Sequence, residues 1–220
     1  KMSNDDTHEI VLTGLDGSNP LAFLAALGTL RSLTLVWPHS EVKMAWRQER
    51  SAWRPLIQSI TASDNDMVAA LHEQCRIARN HPTLSIADNL AIDVKIFREH
   101  LCEQAESPNS EATAFAAAFG CDAICDDENV ICDTSLRTMS GAGHQHFLKT
   151  MRDVLQGVTK EQIHKALFHP WRYDDPLKGL SLRFDPMDEK RYALRWDDPS
   201  SDPTRSRCGN VLGANALAIL

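Results

Sequence analysis

The 220-residue chain has 43% hydrophobic and 24% charged residues, which is typical of a folded globular protein and excludes a disordered one. Its net charge of −7 disfavours a protein that coats long nucleic acid, since such proteins usually carry a strong basic excess. No apolar run reaches the length of a membrane helix, and residues 1–10 lack the apolar centre of a signal peptide. We therefore expect a soluble, cytoplasmic protein without membrane contact.

The charge is unevenly distributed along the chain. Residues 1–132 hold 10 basic and 19 acidic residues, a net charge of −9, whereas residues 133–220 hold 13 and 11, a net charge of +2. We expect a single domain over 1–220, with an acidic α+β part at 1–132 and a mildly basic helix-plus-hairpin part at 133–220. The chain ends within the apolar run GNVLGANALAIL, so we expect the natural protein to continue beyond residue 220.

The first third of the chain predicts a strand, a helix, two strands and a helix. The predicted strands cover 9–14, 41–47 and 52–60, and the predicted helices cover 21–36 and 64–79. This order matches the start of a ferredoxin-like split βαβ unit. Pro55 places the third strand at an edge of the sheet, because proline cannot donate to a β-ladder.

The helix over 21–36 is apolar on nearly all sides, which predicts burial on most sides. Asn19 or Ser18 is a natural N-cap, and Pro20 suits the first helical position.

Predicted helices dominate the middle of the chain, and apolar and polar residues alternate near its end. Helices are predicted over 93–105, 110–120, from about 143 to 155, and over 159–170. Two alternating segments, 180–186 and 191–199, predict a C-terminal β-hairpin. The expected fold class is α+β, mostly helical with short antiparallel strands.

The segment RTMSGAGHQHFLKTMRDV, residues 137–154, has the most conspicuous site chemistry. An apolar stripe predicts a helix that starts near Gly143; it consists of Phe147, Leu148, Met151, Val154 and Leu155. The free N–H groups of such a helix start attract anions. An ordinary capped helix is the simpler interpretation. The functional alternative is an anion pocket formed by Arg137, Ser140, Gly141, His144 and Lys149.

A second candidate contact is the loop PTRSRCGN, residues 203–210. Arg205 and Arg207 alternate there, so in an extended loop both side chains face the same way and can hold phosphates. A solvated loop is the alternative interpretation.

Two weaker patterns suggest metal ligands. Cys121, Cys125 and Cys132, followed by His144 and His146, offer thiolates and imidazoles, although the spacing departs from that of structural zinc sites. In a helix His144 and His146 point to different sides, so they cannot share one metal there.

A repeated pattern of Arg, an aromatic residue, Asp and Pro places Asp174, Asp185 and Asp197 after three extended segments. These carboxylates are expected to cap turns, and the alternative is a divalent metal site. We expect no cofactor.

Three segments, GLDGSNPLAFLAALGTLRSL, TMSGAGHQHFL and LRFDPMDEKRYALRWDDPSSDP, resemble proteins encoded in type I-G (formerly type I-U) CRISPR loci. In those loci a related segment also extends the helicase–nuclease. The resemblance spans three blocks across most of the chain and carries over no catalytic residue. It implies a part in RNA-guided antiviral defence.

From this resemblance and the acidic N-terminal part we expect a non-catalytic accessory or effector-complex subunit. Its expected partners are the CRISPR effector complex or the helicase–nuclease, with DNA or RNA contact through the residues named above. The alternative is a metal-dependent nuclease or hydrolase that uses the Asp–Pro carboxylates and a histidine.

Overall fold

A computed structural model describes residues 9–58, 61–108, 110–137, 146–175, 180–187 and 209–220. Helices with short antiparallel strands form an α+β fold, as the sequence predicts. In chain order the elements are β1 (Glu9–Val11), α1 (Pro20–Val36), β2 (Lys43–Glu49), β3 (Ala52–Gln58), α2 (Asp64–Ala78), a 3₁₀ turn (Pro82–Ser85), α3 (Val94–Glu106), α4 (Ser110–Ala117), β4 (Gly120–Cys125), β5 (Ile131–Asp133), α5 (Phe147–Gly157), α6 (Lys160–Phe168) and α7 (Leu212–Leu217).

The chain divides into two compact units. The first comprises residues 1–78 and 153–220, and the second comprises residues 79–152.

The sheet of the first unit has the strand order β1-β3-β2, with antiparallel neighbours. The outer strands β1 and β2 are therefore parallel to each other, and α1 connects them. This arrangement agrees with the predicted start of a split βαβ unit.

β3 is the central strand of this sheet, so the prediction that Pro55 places it at an edge is wrong. The reason is that β1 is short and pairs with β3 only from Leu56 to Gln58. Pro55 lies just past that pairing, where no ladder donor is needed, and its carbonyl still accepts a hydrogen bond from the Leu12 N–H at 2.9 Å.

Helix α1 begins as the sequence predicts. Asn19 is the N-cap, its side chain accepts a hydrogen bond from the Ala22 N–H, and Pro20 is the first helical residue. One face packs closely against α7, because a Cβ added at Gly28 would overlap the carbonyl oxygen of Leu217. This contact explains why a glycine is accepted inside a helix, where it normally costs stability.

The second unit contains α3, α4 and the antiparallel hairpin of β4 and β5. Asp93 caps α3 by accepting a hydrogen bond from the Lys95 N–H at 2.8 Å. Phe97, Phe119 and Ile131 are buried and form part of its core.

The segment 180–186 is not a strand, so the first half of the predicted C-terminal hairpin is wrong; its second half, 191–199, lies outside the described residues. Arg183 has φ of 60°, in the left-handed region, which is incompatible with an extended strand. The Leu182 N–H donates to the Asn215 side chain at 3.0 Å instead of to a neighbouring strand.

Candidate functional site

The predicted helix start near Gly143 is wrong, because α5 begins at Phe147. His146 directly precedes the helix, and its carbonyl accepts the hydrogen bond of the Thr150 N–H at 2.8 Å. Ser140, Gly141 and His144 lie outside the described residues. The predicted apolar stripe is confirmed, since all five of its members are buried: Phe147, Leu148, Met151, Val154 and Leu155.

The two described cations of the proposed anion pocket differ in their surroundings. Arg137 forms an ion pair with Asp133, with Nη2 at 2.6 Å from Oδ2, so its charge is already balanced within the chain. Lys149 has an exposed side chain, and its backbone N–H donates to the carbonyl of Asp88 at 3.1 Å. Anion binding at this segment stays a prediction.

Arg205 and Arg207, which are predicted to hold phosphates, lie outside the described residues. Asp197 also lies outside them.

The cysteines of the suggested zinc pattern lie on the β4–β5 hairpin. Cys121 is paired in register with Cys132, whereas Cys125 is opposite Ile131 beyond a bulge. All three thiols are exposed. In the described part of the chain, no three His, Cys, Asp or Glu side chains, including His146, are grouped so that they could hold a metal ion.

The Asp–Pro carboxylates have different environments. Asp174 is exposed, whereas Asp185 is only 3% exposed. The Asp185 Oδ1 accepts hydrogen bonds from the Asn19 Nδ2 at 3.2 Å and from the Met187 N–H at 2.9 Å. The bond to Met187, two residues on, is the turn capping that the sequence predicts.

Asp175 is a residue that the sequence interpretation overlooked. Its Oδ1 accepts a hydrogen bond from the Gln162 Nε2 at 2.8 Å, and its Oδ2 accepts one from the Leu212 N–H at 2.8 Å. Its backbone forms an isolated antiparallel bridge with Asn210. Asp175 therefore connects α6 with the start of α7.

An exposed apolar surface lies on α1 and the neighbouring strands. Phe23 is 41% exposed, and Leu27, one turn later on the same face of α1, is 42% exposed. The half-buried Trp46 ring stacks on Phe23, with 5.7 Å between the ring centroids and 16° between the planes. The prediction that α1 is buried on most sides agrees with its other faces, whereas this face is exposed.

Trp53 extends this surface on β3. It pairs with Gln48, two residues along β2 from Trp46, so the two tryptophans lie on the same face of the sheet. Trp53 is 47% exposed. We call Phe23, Leu27, Trp46 and Trp53 the α1 apolar surface. The apolar character of α1 on nearly all sides was the sequence signal that could have indicated this exposed surface.

A cavity of about 340 Å³ lies between the C-terminal half of α6 and the segment that follows it. We call it the α6 cavity. Its charged and aromatic lining residues include Lys165, His169, Trp171, Arg172, Tyr173 and Asp174, and Asn210 also lines it.

Several groups of the α6 cavity are fixed by contacts within the chain. The Trp171 Nε1 donates to the Ala166 carbonyl at 3.0 Å, and the Trp171 and Tyr173 rings meet edge to face with centroids 6.2 Å apart. Lys165 forms an ion pair with Glu161 at 2.8 Å, and this hydrogen-bonded carboxylate raises the pKa of Lys165.

Comparison with known proteins finds no matching protein family, no matching curated protein and no matching solved structure. Among the described helices, none combines the length and apolar character needed to cross a bilayer.

Proposed function

We propose that this chain is a non-catalytic accessory or effector-complex subunit of a type I-G CRISPR system, and that it binds a protein partner through the α1 apolar surface. The partner is a protein of the effector complex or the helicase–nuclease. The proposal takes its biological setting from the sequence resemblance and its contact surface from the geometry of α1, β2 and β3.

The observation that carries the protein-binding role is the exposure of neighbouring large apolar side chains on one face. Single exposed apolar residues are ordinary, but contiguous apolar patches mark interaction sites. Tryptophan is enriched among the residues that dominate binding energy at protein interfaces. Phe23, Leu27 and Trp53 each expose more than two fifths of their surface, and Trp46 stacks on Phe23.

The charge distribution supports the same class of function. The net charge of −9 in residues 1–132 opposes binding to a phosphate backbone through the part of the chain that contains the α1 apolar surface. A protein partner is not disfavoured in this way.

The competing hypothesis is a metal-dependent nuclease that uses the Asp–Pro carboxylates. The Oδ1 of Asp185 accepts hydrogen bonds from Asn19 and Met187, whereas its buried Oδ2 has no hydrogen-bond partner among the described residues. Cleavage of DNA or RNA in the presence of Mg²⁺ or Mn²⁺, abolished by His144→Ala, would establish the enzyme and overturn the accessory function.

The docking proposal is tested by binding of the full chain to a purified type I-G effector complex and to the purified helicase–nuclease. We expect Leu27→Lys to weaken binding about tenfold or more, because it places a charge within a desolvated interface. The matched control is Ile77→Lys on α2, which changes an exposed apolar residue outside the α1 apolar surface; Ile77 is 52% exposed and Leu27 is 42% exposed. Equal effects of the two substitutions, or no binding to either target, would contradict the proposal.

Nucleic-acid contact through the C-terminal loop has its own test. If Arg205 and Arg207 hold phosphates, binding of DNA or RNA should weaken steeply as salt rises, and the double substitution to alanine should reduce the salt dependence. Binding that is absent or insensitive to salt leaves a role in protein contact alone.

A further inference from the structure

Two cysteines lie directly opposite each other on the β4–β5 hairpin. Cys121 on β4 is paired in register with Cys132 on β5, and the two strands are antiparallel. Directly opposed residues of an antiparallel pair point to the same face of the sheet, and their Cα atoms are about 4.5–5.5 Å apart. The Cα atoms of two cysteines joined by a disulfide are usually about 4.4–6.8 Å apart. The register therefore gives this pair a backbone separation that a disulfide can span.

Both thiols lie on the face of the hairpin that is directed away from α3. The preceding residue of each strand is on the other face: a Cβ added at Gly120 would lie 2.7 Å from the Ile131 Cδ1 and 3.5 Å from the Cε1 of Phe97 on α3. Successive residues of a strand alternate between faces, so Cys121 and Cys132 point outward, and both are exposed. A small reagent in solution can therefore reach them.

The other described cysteines do not have this arrangement. Cys125 is opposite the buried Ile131 beyond the bulge, Cys102 lies on α3, and Cys75 is buried in α2. Among the described cysteines, the pair on the hairpin is thus the one in which two thiols oppose each other across neighbouring strands.

We propose that Cys121 and Cys132 form a reversible redox-modification site whose oxidant is a low-molecular-weight disulfide of the glutathione class. The thiolate of one cysteine attacks a sulfur of oxidised glutathione, and one glutathione thiolate leaves. The thiolate of the second cysteine then attacks the protein sulfur of this mixed disulfide, which forms the Cys121–Cys132 bond and releases the second glutathione. Two protein thiols are oxidised, one glutathione disulfide is reduced to two thiols, and the two protons from the protein are transferred to them.

The exposed position makes the modification reversible. Exposed disulfides are the labile and regulatory ones, whereas structural disulfides of secreted proteins resist reduction by glutathione. An excess of reduced glutathione therefore restores both thiols, and the bond between β4 and β5 follows the ratio of oxidised to reduced glutathione. This inference is independent of partner docking at the α1 apolar surface.

The test is incubation of the reduced full chain with oxidised glutathione, followed by acid quenching, alkylation of the remaining thiols and peptide mass spectrometry. We expect a Cys121–Cys132 crosslink at least about tenfold more abundant than any other pair of cysteines, because proximity favours the second attack. We also expect an excess of reduced glutathione to remove it. Absence of this crosslink, predominance of another pair, or a crosslink that persists in excess reduced glutathione would overturn the proposal.

Single serine substitutions separate the two steps. Cys132→Ser removes the second attacking thiol, so glutathione should remain on Cys121 as a mixed disulfide, and Cys121→Ser should leave it on Cys132. Cys102→Ser is the matched control, because it removes an exposed thiol on α3 and should leave the crosslink unchanged. Release of glutathione from Cys121 in the Cys132→Ser variant as fast as in the wild type would contradict the pairing.

A second measurement requires neither oxidation nor substitution. Phenylarsine oxide reacts with two neighbouring thiols, exchanging its oxygen for two sulfur atoms and releasing water. We expect it to protect Cys121 and Cys132 of the folded wild type from alkylation by at least about tenfold, while Cys102 stays reactive. Alkylation of all three at the same rate after this treatment would show that the two hairpin thiols are not neighbours and would exclude the site.

Discussion

The Oδ2 of Asp175 accepts a hydrogen bond from the backbone N–H of Leu212 at 2.8 Å, at the first residue of α7. No side chain of the residue before α7 caps this helix, so a carboxylate 37 positions earlier satisfies its N-terminal donor. Its other oxygen accepts a hydrogen bond from Gln162 on α6. One side chain thus connects two helices that are distant in sequence.

We expect Asp175→Ala to lower the free energy of unfolding by about 2 kcal/mol, because hydrogen bonds to charged groups contribute more than neutral ones. The matched control is Asp174→Ala, since Asp174 is exposed and carries no described hydrogen bond; its effect should be within about 0.5 kcal/mol. Urea denaturation of both variants measures the difference. Similar losses for the two substitutions would show that Asp175 has no special structural role.

Two helical glycines should respond in opposite directions to alanine. At Gly28 an added Cβ would overlap the Leu217 carbonyl oxygen, so Gly28→Ala should destabilise the protein by about 1–3 kcal/mol or more. At Gly157 the nearest atom to an added Cβ is a Leu212 methyl carbon at 3.9 Å, so Gly157→Ala should be neutral or stabilise by up to about 1 kcal/mol. Thermal unfolding of each variant measures the effect. A stabilising Gly28→Ala would disprove the close packing of α1 on α7.

Stability should fall between about pH 7 and pH 5 because of His100. Burial lowers the pKa of His100, an effect that the nearby Glu103 carboxylate opposes only in part. The unfolded chain therefore binds a proton near the ordinary histidine pKa of about 6.5, before the folded chain does, and acidification favours unfolding. Above about pH 7.5 both states are neutral and His100 contributes nothing to the pH dependence.

The measurement is the free energy of unfolding against pH for the wild type and His100→Gln. The glutamine variant should show a smaller loss over this range, although it also alters the 2.8 Å hydrogen bond between the Thr83 Oγ1 and the His100 Nε2. His39→Gln, a substitution of an exposed histidine, is measured alongside as the control. A slope that is the same in wild type and His100→Gln would count against the buried neutral imidazole.

The thiols should differ strongly in reactivity. Burial raises the pKa of Cys75 to about 12, so almost no thiolate is available for reaction near neutral pH. Cys102, Cys121 and Cys132 are exposed and should be alkylated readily in the native protein. Peptide mass spectrometry after brief alkylation at pH 8 measures the modified sites, and full unfolding should make Cys75 reactive. Labelling of Cys75 at the rate of Cys102 in native protein would contradict its burial in α2.

Local signals in the sequence were sufficient for most helices. Asn19, Asp93 and Thr159 are N-caps whose side chains reach donors two or three residues away, so the partners are contained in a short stretch of sequence. The apolar stripe of α5 is likewise a local periodic pattern, and its burial is confirmed. The α+β class follows from such patterns.

Features that depend on distant partners were not predictable from those patterns. Pro55 is compatible with a central strand because the pairing of β1 with β3 ends before it. Arg183 has a left-handed backbone conformation, and the neighbouring Leu182 N–H donates to the Asn215 side chain. The exposed face of α1 is as apolar as its buried faces, so composition alone could not distinguish them.

The sequence by itself determined the α+β class, the N-cap of α1 and the buried stripe of α5, because each depends on residues within a few positions of one another. Only the tertiary structure decided that Asp175 caps α7, that the buried Asn210 donates to the Leu180 carbonyl, and that Phe23 and Trp46 meet on an exposed surface. Those contacts join residues between 23 and 37 positions apart, because packing brings them together, and local periodicity does not encode packing.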